Sequence, residues 1–150
     1  FEPTGHGTDL TQAMEHLNHT LKRRAIIFLI SDFLLPYTQT DIMSAYERAL
    51  LITNRRHDLV ALVLSDQRER EWPDLGLIAL EDAETGQQVW IDTGSRAWRE
   101  AFAQQTMARR EARDAAFIRA QVDHVDITVG EDYVEPLLDF FKTRERRLRR

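Results

Sequence analysis

Apolar residues in this chain gather in two kinds of pattern, unbroken runs and helical stripes. The strongest run is Ala25-Ile26-Ile27-Phe28-Leu29-Ile30, set between the basic Lys22-Arg23-Arg24 and the polar Ser31-Asp32. Branched and aromatic residues without polar alternation predict a parallel strand, Ala25–Ile30, buried on both faces and central in a complete sheet. A second run, Leu59–Leu64, also ends in Ser-Asp, at Ser65-Asp66. Between the runs, Thr40-Asp41 opens a helix with Ile42, Ala45, Ala49 and Ile52 on one face, and Asn54 to His57 ends it. Strand, helix and strand make a βαβ unit with a right-handed crossover. Upstream, Leu10, Met14, Leu17 and Leu21, with Ala13 beside them, predict an amphipathic helix capped by Thr8. Asp9 complements the positive end of its dipole and Lys22 to Arg24 the negative end.

Downstream the pattern changes twice. Gln67 to Asp74 is polar and reads as a surface loop, after which Ile78–Leu80 and Val89–Ile91 flank Asp82-Ala83-Glu84-Thr85-Gly86, a hairpin arm. Ser95–Gln121 contains neither proline nor glycine and is rich in alanine, arginine and glutamine, which predicts one long helix. Its inward stripe is expected at Trp98, Phe102, Ala108, Ala112 and Ala115, with the arginines and glutamates on a solvated face. Val125, Ile127 and Val129 alternate with Asp126 and Thr128 as in a half-exposed edge strand. A last helix follows, with Val134, Leu137, Leu138 and Phe141 inward and Pro136 confined to its first turn. The expected fold is α/β: three layers, a mostly parallel sheet in the order Ala25–Ile30, Leu59–Leu64, Val125–Val129, flanking helices and a β-hairpin arm, all in a single domain over 1–150.

Composition narrows the function classes. A net charge of −5 argues against general nucleic-acid binding, which depends on neutralising phosphates with a basic surface. Cysteine is absent, which removes disulfides, thiolate nucleophiles and cysteine metal sites and suits a cytoplasmic location. No apolar run approaches the roughly 20 residues that a bilayer span needs. The chain begins at Phe1 and is expected to be part of a longer protein.

Candidate chemistry sits at the strand ends. In open α/β sheets ligands bind beyond the carboxyl ends of the strands, where Ser31 and Asp32 stand. The plainer reading is that Asp32 only begins the loop, a common place for a carboxylate. Asp32 with Asp66 would serve as acid and base or as a phosphoacceptor pair, but no activated nucleophile accompanies them. Gly5-His6-Gly7 lacks the lysine of a phosphate loop. His6, His16, His19, His57 and His124 are scattered, and the His16 and His19 pair reads as a solvated helix face. Arg144 to Arg150 reads as a frayed basic tail ending the last helix.

Taken together, Gly7-Thr8-Asp9-Leu10, Phe28-Leu29-Ile30-Ser31-Asp32-Phe33-Leu34, Asp82-Ala83-Glu84-Thr85-Gly86, and Glu131-Asp132-Tyr133-Val134 followed by Leu137-Leu138-Asp139-Phe140-Phe141 resemble the bacterial family called domain of unknown function 58. The resemblance implies a von Willebrand factor type A-like domain with a metal-ion-dependent adhesion site. Carried over by position, Thr8 matches that site's second-loop threonine and Asp32 its third-loop aspartate. The first-loop Asp-x-Ser-x-Ser occurs nowhere here, so the chain resembles the C-terminal portion of such a domain with an incomplete metal site. This chain is accordingly expected to bind Mg²⁺ weakly or not at all, the ion belonging to the full-length domain. The implied function is a non-enzymatic protein-interaction module, with an AAA+ ATPase of the MoxR type as partner. The alternative is a metal-assisted hydrolase or phosphotransfer domain using Asp32 and Asp66. With its neighbouring strand lying upstream, the Ala25–Ile30 edge is expected to drive homodimer formation, unless Phe1–His6 folds back over it.

Overall fold

The structure, a computed structural model, describes residues 9–35, 37–66, 72–81 and 86–148. In chain order the elements are α1 (Leu10–Thr20), β1 (Ile26–Ser31), α2 (Thr40–Arg56), β2 (Asp58–Ser65), β3 (Leu77–Glu81), β4 (Gln88–Asp92), α3 (Arg96–Ala120), β5 (Asp123–Thr128) and α4 (Val134–Leu148). The main sheet is wholly parallel, in the order β1-β2-β5, and β3 and β4 form a separate antiparallel hairpin. This is the expected three-layer α/β arrangement with its hairpin arm.

Register explains how the layers assemble. Phe28 pairs with Val60 and Ile30 with Leu62, and Leu62 pairs in turn with Val125, so these residues share one face of the sheet. Ile27, Leu29, Leu59, Ala61 and Val63 point the other way into the main core, where they meet Met14, Tyr46, Leu50 and Phe117 from α1, α2 and α3. On the first face α4 brings Leu137 and Phe140 onto Val60, Leu62 and Val125. Three helices therefore seal one side, and a single helix covers part of the other.

β2 is the middle strand and β1 lies at the edge, as the expected strand order has it; what is corrected is the expectation that Ala25–Ile30 is buried on both faces. In β1 only Ile27 and Leu29 are buried; Ile26, Phe28 and Ile30 are 64%, 46% and 59% exposed. Among the described residues no strand pairs with its outer edge. Phe1–His6, the segment expected as an alternative cover, lies outside the described residues.

The helical stripes agree only in part with those expected: in α1 Leu10, Met14 and Leu17, with Leu21 at its C-terminal cap, do face the main core, whereas the α2 stripe is rotated. In α1 Asn18 takes an inward position and Ala13 is exposed. The Asn18 Nδ2 donates to the Met14 carbonyl at 2.9 Å and to Thr53 Oγ1 at 2.7 Å, tying α1 to α2 through satisfied buried polar groups. Asp9 is the cap, accepting from the Gln12 amide at 3.0 Å, whereas the expected cap, Thr8, lies outside the described residues. In α2 the buried stripe is Met43, Tyr46, Ala49, Leu50 and Thr53, while Ile42, Ala45 and Ile52 face outward. Tyr46 and Thr53 are too polar to stand out in a hydrophobic pattern, yet their bulk fills the space against α1.

The long helix forms as expected, with Ser95 capping it through the Trp98 amide at 3.3 Å and Gln121 ending it at a φ of 54°. Its deeply buried residues are Arg113, Ala116, Phe117 and Ala120; of the expected stripe, Trp98, Phe102, Ala108, Ala112 and Ala115 are half-buried. In α4 the inward residues are Leu137, Phe140 and Arg144, and Val134, Leu138 and Phe141 are exposed. Arg144 is no frayed tail. Its guanidinium pairs with Asp58 and, at 3.1 Å, with Asp123, at the amino ends of β2 and β5.

Candidate functional site

At the carboxyl end of β1 the chain turns sharply. Phe33 adopts a φ of 54°, an uncommon conformation for an aromatic residue, and its buried ring meets Phe117 edge-on at 5.2 Å. Ser31 Oγ accepts from the Phe33 amide at 3.1 Å and donates to Asp32 Oδ1 at 3.3 Å, and the Leu34 amide donates to the same carboxylate oxygen at 3.2 Å. Asp32 thus begins and braces the loop, in keeping with the plainer expectation for it, and it also faces a cavity.

That cavity has a volume of about 260 Å³. Asp32, Phe33 and Leu34 border it from the end of β1, and Leu64 and Ser65 from the end of β2. The opposite wall is Phe102, Thr106, Arg109, Arg110 and Arg113, which lie on one side of α3 because they repeat at helical spacing. A crevice at the carboxyl ends of adjacent parallel strands is where this architecture places a ligand.

The arginines of α3 differ in environment. Arg113 is buried and held by Asp114 at 2.7 Å and by Asp126 at 3.2 Å. Arg109 lies over the Tyr37 ring at 5.8 Å, and neither Arg109 nor Arg110 is ion-paired with a described carboxylate. The expected solvated arginine face is corrected here: Arg113, Arg109 and Arg110 turn toward the strand ends. Their signal in the sequence was their helical spacing from Phe102 and Thr106.

Tyr46 lies below this region in the core. Burial pushes its hydroxyl pKa well above the ordinary tyrosine range, an effect only partly opposed by the Arg113 charge.

Of the metal ligands implied by resemblance, Thr8 lies outside the described residues, and Asp32 alone does not make a Mg²⁺ site. Among the described residues no group of three or more histidine, cysteine, aspartate or glutamate side chains is placed to hold a metal ion. Asp66 follows the last residue of β2, Ser65, and is not among the residues bordering the cavity. Of the described histidines, His16 and His19 are exposed on α1, as expected of a solvated face, with His16 facing Thr20 at 3.4 Å; buried His57 accepts from the Ala25 amide at 3.4 Å, and His124 packs on Phe117. Among the described residues no helix is long and apolar enough to cross a membrane.

Comparison with known proteins finds uncharacterised relatives. Uncharacterized protein MAV169 of Mycobacterium avium is 30% identical over 146 residues, covering 96% of this chain and 80% of that protein. Uncharacterized protein Mb1516 of Mycobacterium bovis and Uncharacterized protein Rv1480 of Mycobacterium tuberculosis are each 29% identical over 146 residues, which make up 43% of their own length. The chain therefore spans less than half of these two longer relatives. No solved structure matches it significantly. The model of the family described as Protein of unknown function DUF58 matches residues 1–112, and the chain belongs to that family.

Proposed function

We propose that this chain is a non-enzymatic protein-interaction module of von Willebrand factor A-like type that docks its partner along the open edge and bare face of β1. The observation that carries this reading is the exposure of Ile26, Phe28 and Ile30 on a strand whose outer edge is unpaired among the described residues. Beside them on α4 stand the exposed Leu138 and Phe141, with the Phe28 and Phe141 rings 6.1 Å apart. A contiguous apolar surface next to free backbone N–H and C=O groups is the form that strand addition recognises. The family resemblance supplies the candidate partner, an AAA+ ATPase of the MoxR type, and assigns the chain to the C-terminal portion of the domain. Mg²⁺ at Asp32 would require ligands from outside the described residues.

The test is titration of the chain with a MoxR-type ATPase from the same organism, read by light-based binding kinetics. Binding that is lost in the double variant Ile26→Lys and Ile30→Lys but kept in Gln104→Lys, on the exposed side of α3, supports the reading. Equal binding by all three proteins places the interaction elsewhere and overturns it.

A further inference from the structure

The cavity between the strand ends and α3 combines an apolar wall with two cations that the described chain leaves unneutralised. Phe33, Leu34, Leu64 and Phe102 supply the wall. Arg113 is answered by Asp114 and Asp126, whereas Arg109 and Arg110 are paired with no described carboxylate. Asp32 borders the same space, but its Oδ1 already accepts from Ser31 and from the Leu34 amide, and it forms no ion pair with either arginine. Half-buried guanidinium groups beside apolar surface, with no described carboxylate paired to them, are free to make charge-assisted hydrogen bonds to an anionic ligand. At about 260 Å³ the space falls below the roughly 300–1,000 Å³ of sites that enclose a whole small molecule, and suits one bulky side chain.

We propose that this cavity takes up an aromatic side chain from a segment of a partner protein, with acidic residues flanking it that pair with Arg109 and Arg110. Guanidinium groups suit the role because they bind carboxylates in a bidentate, planar fashion and tolerate a partly apolar setting. The net charge of −5 disfavours a polyphosphate chain as the occupant. The site goes beyond the β1 reading: it lies at the strand ends against α3, whereas Ile26, Phe28 and Ile30 adjoin α4.

The experiment is a nuclear magnetic resonance titration of the full chain with three blocked pentapeptides, Gly-Glu-Phe-Glu-Gly, Gly-Gln-Phe-Gln-Gly and Gly-Glu-Ala-Glu-Gly. The first is expected to shift the Phe33 and Leu34 amides and the Arg109 side-chain N–H saturably, with affinity falling on the order of tenfold for each of the other two. Arg110→Gln, which breaks no ion pair observed among the described residues, should narrow the difference between the acidic and neutral phenylalanine peptides, and Arg109→Gln with Arg110→Gln should abolish it. The proposal is overturned if none of the peptides shifts these signals, if all three bind alike, if the shifts map to β1 and α4, or if the acidic preference survives Arg110→Gln unchanged. Failure here would leave the β1 test intact, because neither arginine touches that face.

Discussion

Arg113 shows how burial decides the worth of an ion pair. Its side chain is 7% exposed, while Asp114 and Asp126 are 42% and 40% exposed. Removing the arginine leaves two carboxylates that water can reach; removing the carboxylates leaves a buried cation without a partner. Arg113→Met should therefore cost only about 1 kcal/mol, and Asp114→Asn with Asp126→Asn about 3 kcal/mol, in denaturant unfolding. Equal losses would contradict this asymmetry. Asn54 is a second polar anchor, donating to the carbonyls of Ala120 at 3.2 Å and Gln121 at 2.6 Å and accepting from the Leu59 amide at 3.2 Å. Neither role was legible in the sequence, because polar residues on helices read as solvated until the partner strands are in place. Tyr46 gives a pH prediction. Its folded-state pKa is raised by burial above the unfolded value near 10, so its contribution is complete below that pH and is lost as pH rises toward the folded pKa. Its hydroxyl also has no hydrogen-bond partner among the described residues. Tyr46→Phe should thus be at least as stable as the parent at neutral pH, and should lose less stability above about pH 10 in chemical denaturation across the alkaline range.

Among the elements, the parallel strands, their order, the hairpin and the long helix were legible because each rests on a local pattern: apolar runs, a turn glycine, and a stretch of strong helix formers. The one-sided burial of β1 was not. Hydrophobicity records that both sides of Ala25–Ile30 are apolar, and does not record whether anything covers them. The α2 stripe failed for the converse reason, since Tyr46 and Thr53 are buried without being strongly apolar. The cavity was half legible: Ser31 and Asp32 were placed at a strand end as expected, but its arginine wall belongs to α3, which meets the strands only through tertiary packing. Two predictions belong to this scale. Gln121 holds a left-handed conformation that glycine adopts without strain, so Gln121→Gly should raise stability by about 0.5–1 kcal/mol in thermal unfolding. Helix α4 is fastened chiefly by Leu137, Phe140 and Arg144, and its amides should exchange with solvent well before those of β2, with Arg144→Gln widening the gap.

For the whole molecule the governing feature is unequal coverage of one small sheet. One face is closed by α1, α2 and α3, whereas the other is covered by α4 over β2 and β5 and left bare at β1. An apolar edge of this kind recruits another strand, and in the isolated chain the available strand is a second copy, most simply across a two-fold axis. Ile27 points into the core, so the informative substitutions are at Ile26 and Ile30, which can carry charge without disturbing the packing. The most direct measurement is sedimentation equilibrium of the chain at micromolar concentrations beside the double variant Ile26→Lys and Ile30→Lys. The parent is expected to form concentration-dependent dimers and the variant to stay monomeric, with unchanged circular dichroism; a parent that stays monomeric throughout, or a variant that associates equally well, would contradict the assignment of β1 as the docking surface.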